Sequence, residues 1–296
     1  MKLSANWKRI ENAIRDSVGT DFTISKLTSV GGGSINNCYQ AGTDTQTLFV
    51  KLNTVERLIM FETEATGLHE LAETSELRIP AVICSGQTAS NSFLVLEWLV
   101  LHSANTASDR LLGEKLAQLH AVEQPYYGWQ KNNFIGSTPQ PNGKSNDWVK
   151  FLLTQRLGFQ LQLATENGAN RQLVEKGERL LDKLALFFSA YQPKPSLLHG
   201  DLWGGNYAMD DSGQPVIFDP ACYYGDREAD IAMTELFGGF GSGFFAAYQN
   251  TLQLDEGYAV RKKLYLLYHI LNHFNLFGSS YAGQASALMD DLLHSV

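Results

Sequence analysis

The sequence predicts an α+β fold of two lobes, in which a small N-terminal lobe carries an antiparallel sheet and one main helix and a larger C-terminal lobe is mostly helical. Short apolar runs separated by turn residues between positions 23 and 52 are typical of antiparallel strands. The apolar run 92–99 is typical of a strand that leaves one lobe for the other. Apolar residues then recur at helical spacing over most of the remaining chain. We expect an N-terminal lobe of residues 1–97, a C-terminal lobe of residues 98–296 and a hinge at about 96–101.

The composition narrows the class of protein. The chain has 296 residues, 44% of them hydrophobic, which is enough for one large globular body or for two lobes with separate cores. A net charge of −8 argues against nucleic acid as the main partner. Three cysteines without a C-x-x-C pair, Cys38, Cys84 and Cys222, favour a reducing compartment. No segment has the pattern of a signal peptide or a membrane span, so we expect a soluble cytoplasmic protein without a membrane partner.

A glycine turn lies between the first two predicted strands, after an amphipathic helix at residues 6–18. The backbone amides of Gly31, Gly32 and Gly33 can approach a phosphate closely, and Ser34 could add a hydroxyl donor. The turn is not a Walker A loop, because Gly-Lys-Ser/Thr does not follow it, and it is not a dinucleotide fingerprint, because it opens no helix. By itself the turn also fits a plain connection between two strands.

Lys51 lies in the apolar strand 48–52, at a spacing suited to a nucleotide-covering hairpin like the V-A-I-K strand of protein kinases. Such a lysine needs a glutamate on a helix to orient it, and the predicted helix 55–72 offers Glu62 and Glu64. On a helical wheel Glu64 borders the apolar face, whereas Glu62 lies to the other side. We therefore predict that Glu64 pairs with Lys51 and that Glu62 is solvated. The alternative is an exposed strand lysine without a role.

Two further segments are candidates for the walls of a ligand site. At the end of the run 92–99, the backbone carbonyl near Glu97 and the backbone amide near Leu99 can bond an adenine. The segment 124–146 is too aromatic for a simple linker, and it either walls an acceptor site or uses its rings to fix a long loop to the surface.

The stretch 195–233 carries the most specific pattern. His199, Asp201 and Asn206 fit H-x-D followed by four residues and Asn, as in the catalytic loop of protein-kinase-like phosphotransferases. One short apolar run ends at His199 and another ends at Asp219. Turn residues lie between the two runs, so we expect the runs to pair like a hairpin and to bring Asp201 and Asp219 to one site.

Phosphoryl transfer explains why these residue types occur together. It requires a carboxylate to accept a hydroxyl proton, an amide and a second carboxylate to hold Mg²⁺, and positive charge near the nucleotide phosphates. Asp201, Asn206 and Asp219 are the candidates for the first three roles, with Asn206 and Asp219 as the metal ligands. The alternative is a loop in which Asp and Asn only cap helices and turns.

Four residues of the same stretch are candidates for other roles. Asp226 is a candidate helix N-cap, and Asp230 in the first turn of that helix could bond backbone amides of the catalytic segment. We also consider Trp203, Asp226 and Glu228 as candidate substrate contacts. Trp203 either stacks on a sugar or packs within its loop.

Together these motifs resemble those of one family. The segments VGGGSIN, FVKLN, MFETEATGL, LLHGDLWGGN and FDPACYYGDREADIAM are similar to those of fructosamine kinases (ketosamine-3-kinases), relatives of aminoglycoside and choline phosphotransferases with a protein-kinase-like fold. The resemblance covers nearly the whole chain. It implies that Asp201 is the catalytic base, that Asn206 and Asp219 bind Mg²⁺, and that Lys51 with Glu64 positions the phosphates of ATP.

The resemblance also implies the acceptor. Members of the family phosphorylate the 3-hydroxyl group of ketosamines, such as fructosamines or ribulosamines, free or on protein lysines, and the unstable product then releases the amine. Pro220 and Ala221 follow Asp219, and the chain has no A-P-E segment, so we expect no control by a protein-kinase activation loop. Two alternatives stay open: a kinase for an aminoglycoside, choline or another alcohol, and a nucleotide-binding module without catalysis.

Overall fold

The computed structural model describes residues 3–19, 22–31, 35–43 and 45–296. Gly32, Gly33 and Ser34, which the sequence predicts as phosphate contacts, lie outside the described residues. Within the described part of the chain, no helix has the length and apolarity needed to cross a membrane.

A five-stranded sheet forms the N-terminal part of the fold. Its strands are β1 (Lys26–Val30), β2 (Asn37–Gly42), β3 (Thr47–Thr54), β4 (Val82–Gln87) and β5 (Asn91–Glu97). They lie in the order β1-β2-β3-β5-β4, and every neighbouring pair is antiparallel. Lys51 is in β3 opposite Leu94 of β5, so it lies in the middle of the sheet.

Helices cover both faces of this sheet. They are α1 (Ala5–Val18) and α2 (Leu58–Thr74). Successive residues of a strand point to opposite faces. Phe93 and Val95 of β5 therefore pack in a small core with α1, whereas Leu94 and Leu96 pack in a large core with α2. The large core continues into the C-terminal part of the chain, so the α2 face of the sheet is not a separate core.

The C-terminal part is mostly helical. Its helices are α3 (Thr106–Ala121), α4 (Trp148–Leu152), α5 (Gly158–Glu166), α6 (Arg171–Asp182), α7 (Glu228–Leu236), α8 (Ser242–Thr251), α9 (Tyr258–Phe277) and α10 (Ala282–Leu293). A π-helical turn, Leu153–Leu157, joins α4 to α5. The predicted α+β class, with an antiparallel sheet followed by a mostly helical region, is confirmed.

Three two-stranded sheets complete the C-terminal part and correct one prediction. Their strands are β6 (Asn133–Ile135), β7 (Thr138–Gln140), β8 (Pro195–Leu198), β9 (Tyr207–Met209), β10 (Pro215–Ile217) and β11 (Tyr223–Asp226). β6 pairs with β7, β9 with β10 and β8 with β11. The predicted pairing of the run before His199 with the run before Asp219 is therefore wrong. The cause is local, because Asp210 Oδ1 accepts hydrogen bonds from the amides of Ser212 and Gln214 and closes a tight turn directly after β9.

The ends of the two runs nevertheless meet. The amide of Ala221 donates a 2.8 Å hydrogen bond to the carbonyl of His199. The imidazole Nε2–H of His199 donates in return to the carbonyl of Phe218 at 3.0 Å. These two bonds place the segment after β8 beside the segment after β10. Asp201 and Asp219, which lie in these two segments, therefore come close to one another.

Candidate active site

A cavity of about 760 Å³ lies between the five-stranded sheet and the helical part. Lys51 and Glu64 contribute to its wall on the sheet side, and Asp201, Asn206 and Asp219 contribute on the other side. This volume lies within the range of small-molecule sites. The structure thus brings together the five polar side chains that the sequence predicts for phosphoryl transfer.

Lys51 is the link between the two sides of the cavity. Its ammonium group is 2.6 Å from Glu64 Oε1 and also contacts the carboxylate of Asp219. Burial opposes the charge of the lysine, but the two carboxylates outweigh burial and raise the pKa of Lys51 above its usual value. Glu62, on the same helix, is exposed. The structure therefore places Glu64, and not Glu62, against Lys51, as the helical wheel predicts.

Asp230 fixes the backbone that carries the catalytic pattern. It lies in the first turn of α7, is buried, and accepts hydrogen bonds from the amides of His199 at 2.7 Å and Gly200 at 2.8 Å. Gly200 has φ +81°, and a Cβ atom there would lie 2.2 Å from the carbonyl oxygen of Ala221. Only glycine fits this contact. The bracing of the loop by Asp230, which the sequence suggests, agrees with these bonds.

Asp201 and Asn206 lie at the end of the cavity that faces the helical part. The amide Nδ2–H of Asn206 donates to the carbonyl oxygen of Asp201 at 2.9 Å, which leaves its amide oxygen available as a ligand. Burial, together with the charges of Asp219 and Asp230, raises the pKa of Asp201 to about 7. Burial also lowers the pKa of His199. Its Nδ1 accepts a hydrogen bond from the amide of Asp201 at 3.3 Å, while Nε2–H donates to the carbonyl of Phe218.

Asp219 has an uncommon backbone conformation. Its φ is +57°, the one positive value at a non-glycine position in the described residues. The left-handed region is disfavoured for such a residue, and the following Pro220 also biases Asp219 toward extended backbone. Backbone strain of this kind, about 1–3 kcal/mol, persists only where the surroundings impose it. Here it turns the carboxylate toward Lys51.

Residues of the predicted hinge and of the predicted glycine turn line the same cavity. Gly31, Glu97 and Leu99 are all in its wall. The carboxylate of Glu97 is engaged by the guanidinium of Arg78 through two hydrogen bonds of 2.6 Å. The amide of Glu97 donates to the carbonyl of Ala81, so the carbonyl near Glu97 and the amide near Leu99 stay the predicted contacts for a ligand.

The structure corrects two of the three candidate substrate contacts. Asp226 is fully buried, accepts hydrogen bonds from the hydroxyls of Tyr191 and Tyr265, and bonds the amide of Glu228. Glu228 is also fully buried and pairs with Arg261 through two bonds of 2.8 Å. Neither residue lines the cavity. The carboxylates of both are hydrogen-bonded to other side chains and stabilise the start of α7. The third candidate, Trp203, does line it.

The aromatic segment 124–146 packs on the core and also lines the cavity, whereas its role as the wall of an acceptor site stays a prediction. Tyr127 and Trp129 are buried and fix the segment to the core. Asn133 and Phe134 line the cavity. The amide of Asn133 also donates to the carbonyl of Cys222 at 2.8 Å, so the segment supports the chain directly after the predicted metal-binding aspartate.

Sequence reasoning missed one contact that positions the site. Glu70 of α2 accepts hydrogen bonds from the side chains of Trp129 and Tyr224. It follows Glu64 by six positions, but no local pattern marks it, because its partners are more than fifty residues away in the chain.

A comparison with protein families decides the family of the chain. The chain matches the fructosamine kinase family over residues 6–295. It belongs to the fructosamine kinase family. The resemblance stated from the motifs is therefore confirmed, and the family is one of kinases.

Named relatives of this fructosamine kinase family member cover nearly the same length. The chain is 44% identical to a probable ketoamine kinase of Synechocystis, over 98% of this chain and 97% of the relative. It is 41% identical to the chloroplastic protein-ribulosamine 3-kinase of Arabidopsis thaliana, over 96% of this chain and 88% of the relative. A crystal structure of a candidate fructosamine-3-kinase from Haemophilus somnus has a TM-score of 0.90 at 34% identity and covers 98% of each chain.

A more distant structure shows the wider fold. A thermostable mutant of aminoglycoside phosphotransferase APH(4)-Ia, in ternary complex with AMP-PNP and hygromycin B, has a TM-score of 0.67 at 14% identity, covering 95% of this chain and 98% of that chain. At this identity the similarity concerns the fold alone. It confirms the predicted protein-kinase-like fold, which the chain shares with this aminoglycoside phosphotransferase.

Proposed function

We propose that this chain transfers the γ-phosphoryl group of ATP to the 3-hydroxyl group of a ketosamine, the sugar adduct of an amine. The observation that carries the proposal is the convergence of Lys51, Asp201, Asn206 and Asp219 on one cavity in a fructosamine kinase family member. The names of the relatives, ketoamine kinase and ribulosamine 3-kinase, support the class of acceptor and the position of the hydroxyl. Breakdown of the phosphorylated adduct then frees the amine, which amounts to deglycation.

Asp201 acts in this proposal as the base that orients and deprotonates the acceptor hydroxyl. A general base works best when its pKa lies near the operating pH. The pKa of about 7 at Asp201 meets that condition, since the carboxylate is available as a base and can also hold the proton it receives. Most of the remaining catalysis in phosphoryl transfer comes from positioning and charge stabilisation.

Asn206 and Asp219 would hold Mg²⁺. A carboxylate and an amide oxygen are ligands that Mg²⁺ prefers, and Mg²⁺ usually takes its other ligands from phosphates and water. The structure fits this arrangement, because the N–H of Asn206 is directed to Asp201 and both side chains line the cavity. Among the described residues no group of three or more His, Cys, Asp and Glu side chains could hold a metal alone. Bound there, the ion would neutralise charge on the phosphates.

The nucleotide lies between the two lobes in this proposal, with the hinge at about 96–101 beside the adenine. Lys51, held by Glu64, supplies positive charge to the phosphates. Gly31 of the predicted glycine turn lines the cavity, and we propose that its backbone approaches the phosphates. The cytoplasmic location stays a prediction, since the name of the Arabidopsis relative places that protein in the chloroplast.

A panel of acceptors tests the proposed function. Purified protein would be incubated with labelled ATP and Mg²⁺ in three parallel reactions. Each reaction contains one acceptor: ribuloselysine, fructoselysine or an aminoglycoside. We expect phosphate transfer to one or both sugar amines and none to the aminoglycoside. Phosphorylation of the aminoglycoside alone, or ATP binding without transfer to any acceptor, would contradict the proposal. The Asp201→Asn variant, assayed beside the wild type, separates turnover by this site from a contaminating kinase.

A further inference from the structure

A buried arginine, Arg156, lies among aromatic rings of the helical part. It belongs to the π-helical turn between α4 and α5 and is only 1% exposed. Its guanidinium lies over the rings of Tyr223 and Phe151, at 4.0 Å and 4.6 Å from their centroids. Within the described residues no carboxylate pairs with it. Burial of a charge without a counter-ion is costly, so such an arginine indicates a role that a neutral side chain could not fill.

The π-helical turn that carries Arg156 depends on a glycine. The turn is followed by Gly158, whose amide donates to the carbonyl of Leu153. A Cβ atom on Gly158 would lie 2.2 Å from that carbonyl oxygen, so only glycine permits this wide turn. Turns of this kind are rare and are frequently found at functional sites. The local sequence therefore specifies the turn that places Arg156 in the interior.

Arg156 begins a chain of hydrogen bonds that ends at the backbone after Asp219. One N–H group of the guanidinium donates to Oδ1 of Asn142 at 2.6 Å. The side-chain N–H of Asn142 donates in turn to Oδ1 of Asn133 at 2.7 Å. The side-chain N–H of Asn133 then donates to the carbonyl of Cys222 at 2.8 Å. Three side chains thus connect a buried cation to a backbone carbonyl three residues after the predicted metal ligand.

A second branch reaches the neighbouring carbonyl. The side-chain N–H groups of Gln140 donate to Oδ1 of Asn133 at 2.8 Å and to the carbonyl of Ala221 at 3.0 Å. Its Oε1 atom accepts a hydrogen bond from the hydroxyl of Tyr268 at 2.6 Å. The carbonyl of Ala221 also lies against the catalytic loop, since a Cβ atom on Gly200 would be 2.2 Å from its oxygen. Two successive carbonyls after the predicted metal ligand are therefore held by side chains.

The arginine determines the direction of this chain of bonds. A guanidinium has only donors, whereas the side-chain amide of asparagine or glutamine has a donor on one side and an acceptor on the other. Asn142 must therefore turn its oxygen to Arg156 and its N–H to Asn133, and Asn133 must turn its N–H to Cys222. A side chain that could accept a hydrogen bond at position 156 would allow both amides to reverse. Reversal would leave the buried carbonyl of Cys222 without a donor.

The backbone of Asp219 is held on both sides. Before it, the amide of Phe218 donates to the carbonyl of Asn206 at 3.1 Å. After it, the carbonyls of Ala221 and Cys222 are held by the side-chain hydrogen bonds. Between these points Asp219 keeps its φ of +57°, and it lines the cavity. The chain of bonds thus supplies surroundings of the kind that such a backbone conformation requires.

We propose that Arg156 positions Asp219 to bind Mg²⁺. It acts through the side-chain amides of Asn142, Asn133 and Gln140 and through the backbone that follows Asp219. The inference rests on the proposed function, because it takes Asp219 as a metal ligand. It goes beyond that function by assigning a positioning role to a buried cation that does not line the cavity.

The gain in nucleotide affinity that Mg²⁺ provides reports on the metal site without turnover. Calorimetric titration with AMP-PNP gives a dissociation constant in Mg²⁺ and another in EDTA, and their ratio is the gain. We expect Arg156→Met and Gln140→Met to reduce the gain by about 2- to 12-fold, the range for loss of one hydrogen bond. The dissociation constant in EDTA should change little, because Glu64 still orients Lys51. Arg156→Lys, which keeps a donor, should retain more of the gain than Arg156→Met.

Tyr127→Phe is the matched control. Tyr127 is buried in the same segment as Gln140, and its hydroxyl also donates to a backbone carbonyl, that of Pro193. We expect this variant to lose stability and to keep the gain of the wild type. If Arg156→Met does not fold, Gln140→Met decides the question, since methionine has nearly the length of glutamine. An unchanged gain in Gln140→Met, or an equal loss in Tyr127→Phe, would overturn the inference.

The same measurements separate this inference from the proposed function. A wild type whose affinity for AMP-PNP does not depend on Mg²⁺ would overturn the proposed metal site itself. Failure of the wild type to phosphorylate any sugar amine, with the gain intact, would overturn the proposed acceptor and leave the role of Arg156 standing.

Discussion

The carboxylate of Glu70 accepts a hydrogen bond of 2.7 Å from the indole Nε1–H of Trp129. Its second oxygen accepts a hydrogen bond from the hydroxyl of Tyr224. Both partners belong to the helical part of the fold, whereas Glu70 is on α2, the helix that carries Glu64. The helix is thereby fixed to the larger part of the molecule, and Glu64 is held in position beside Lys51.

Removal of the Glu70 carboxylate should weaken nucleotide binding, although Glu70 does not line the cavity. We expect Glu70→Ala to raise the KM for ATP and to lower the free energy of unfolding by about 1–3 kcal/mol, because it leaves the donors of Trp129 and Tyr224 without a partner. Steady-state kinetics and urea unfolding measure the two effects. Glu73→Ala is the control, since Glu73 is exposed on the same helix. An effect of the same size at Glu73 would contradict the anchoring role.

A second pair of variants tests the orientation of Lys51. We expect Glu64→Gln to lower kcat/KM for ATP by about 10- to 100-fold, because a charge-assisted hydrogen bond contributes roughly 1.5–3 kcal/mol. Glu62→Gln, two positions away and exposed, should leave kcat/KM unchanged. Equal activity of the two variants would show that Lys51 does not depend on Glu64.

The role of Asp201 predicts a loss in turnover rather than in binding. We expect Asp201→Asn to lower kcat by about 10²- to 10⁴-fold, the usual contribution of a general base. The affinity for ATP should stay close to that of the wild type, because the contact of Asp201 with the hydroxyl strengthens mainly in the transition state. Calorimetric titration with ATP, beside kinetics, checks both statements. Loss of ATP binding without a change in kcat would be incompatible with this role.

A buried histidine predicts how stability depends on pH. Burial lowers the pKa of His269 to about 3, and its Nδ1 has no hydrogen-bond partner in the described structure. The folded protein therefore keeps this imidazole neutral, whereas the unfolded chain takes up a proton below about pH 6.5. Stability is consequently lost as the pH falls from about 6.5 toward the folded pKa. At pH 5 this loss is about 2 kcal/mol.

His269→Phe isolates that contribution. The free energy of unfolding at pH 7 and at pH 5 would be measured for the wild type and for the variant. We expect the decrease between the two pH values to be smaller in the variant by about 2 kcal/mol. The exposed His294 provides the control variant His294→Phe, for which the decrease should match that of the wild type. Parallel behaviour of wild type and His269→Phe would show that His269 is protonated in the folded state.

Local patterns were sufficient for the parts of the site that depend on one element. The spacing of His199, Asp201 and Asn206 and the helical wheel around Glu64 need only the periodicity of a loop or a helix. The structure places Glu64, Asp201 and Asn206 in one cavity. The hinge strand is also found by its apolar run, because β5 is buried on both faces.

Contacts between distant parts of the chain could not be predicted in this way. The sequence alone does not distinguish an acidic residue that binds a ligand from one that pairs with a buried side chain. Asp226 pairs with Tyr265 and Glu228 pairs with Arg261, and both partners are more than thirty residues away in the chain. Strand pairing failed for a related reason. A turn fixes only its immediate neighbours, and the partner of β8 is chosen by tertiary packing.

The alternation of side chains along β5 has a consequence for how the molecule melts. Leu94 and Leu96 belong to the large core, which reaches from α2 to the last helices. A fragment that ended at the hinge would leave this apolar face in contact with water. Heat or urea should therefore disrupt the sheet and the helical part in one cooperative step, although a cavity of about 760 Å³ lies between them.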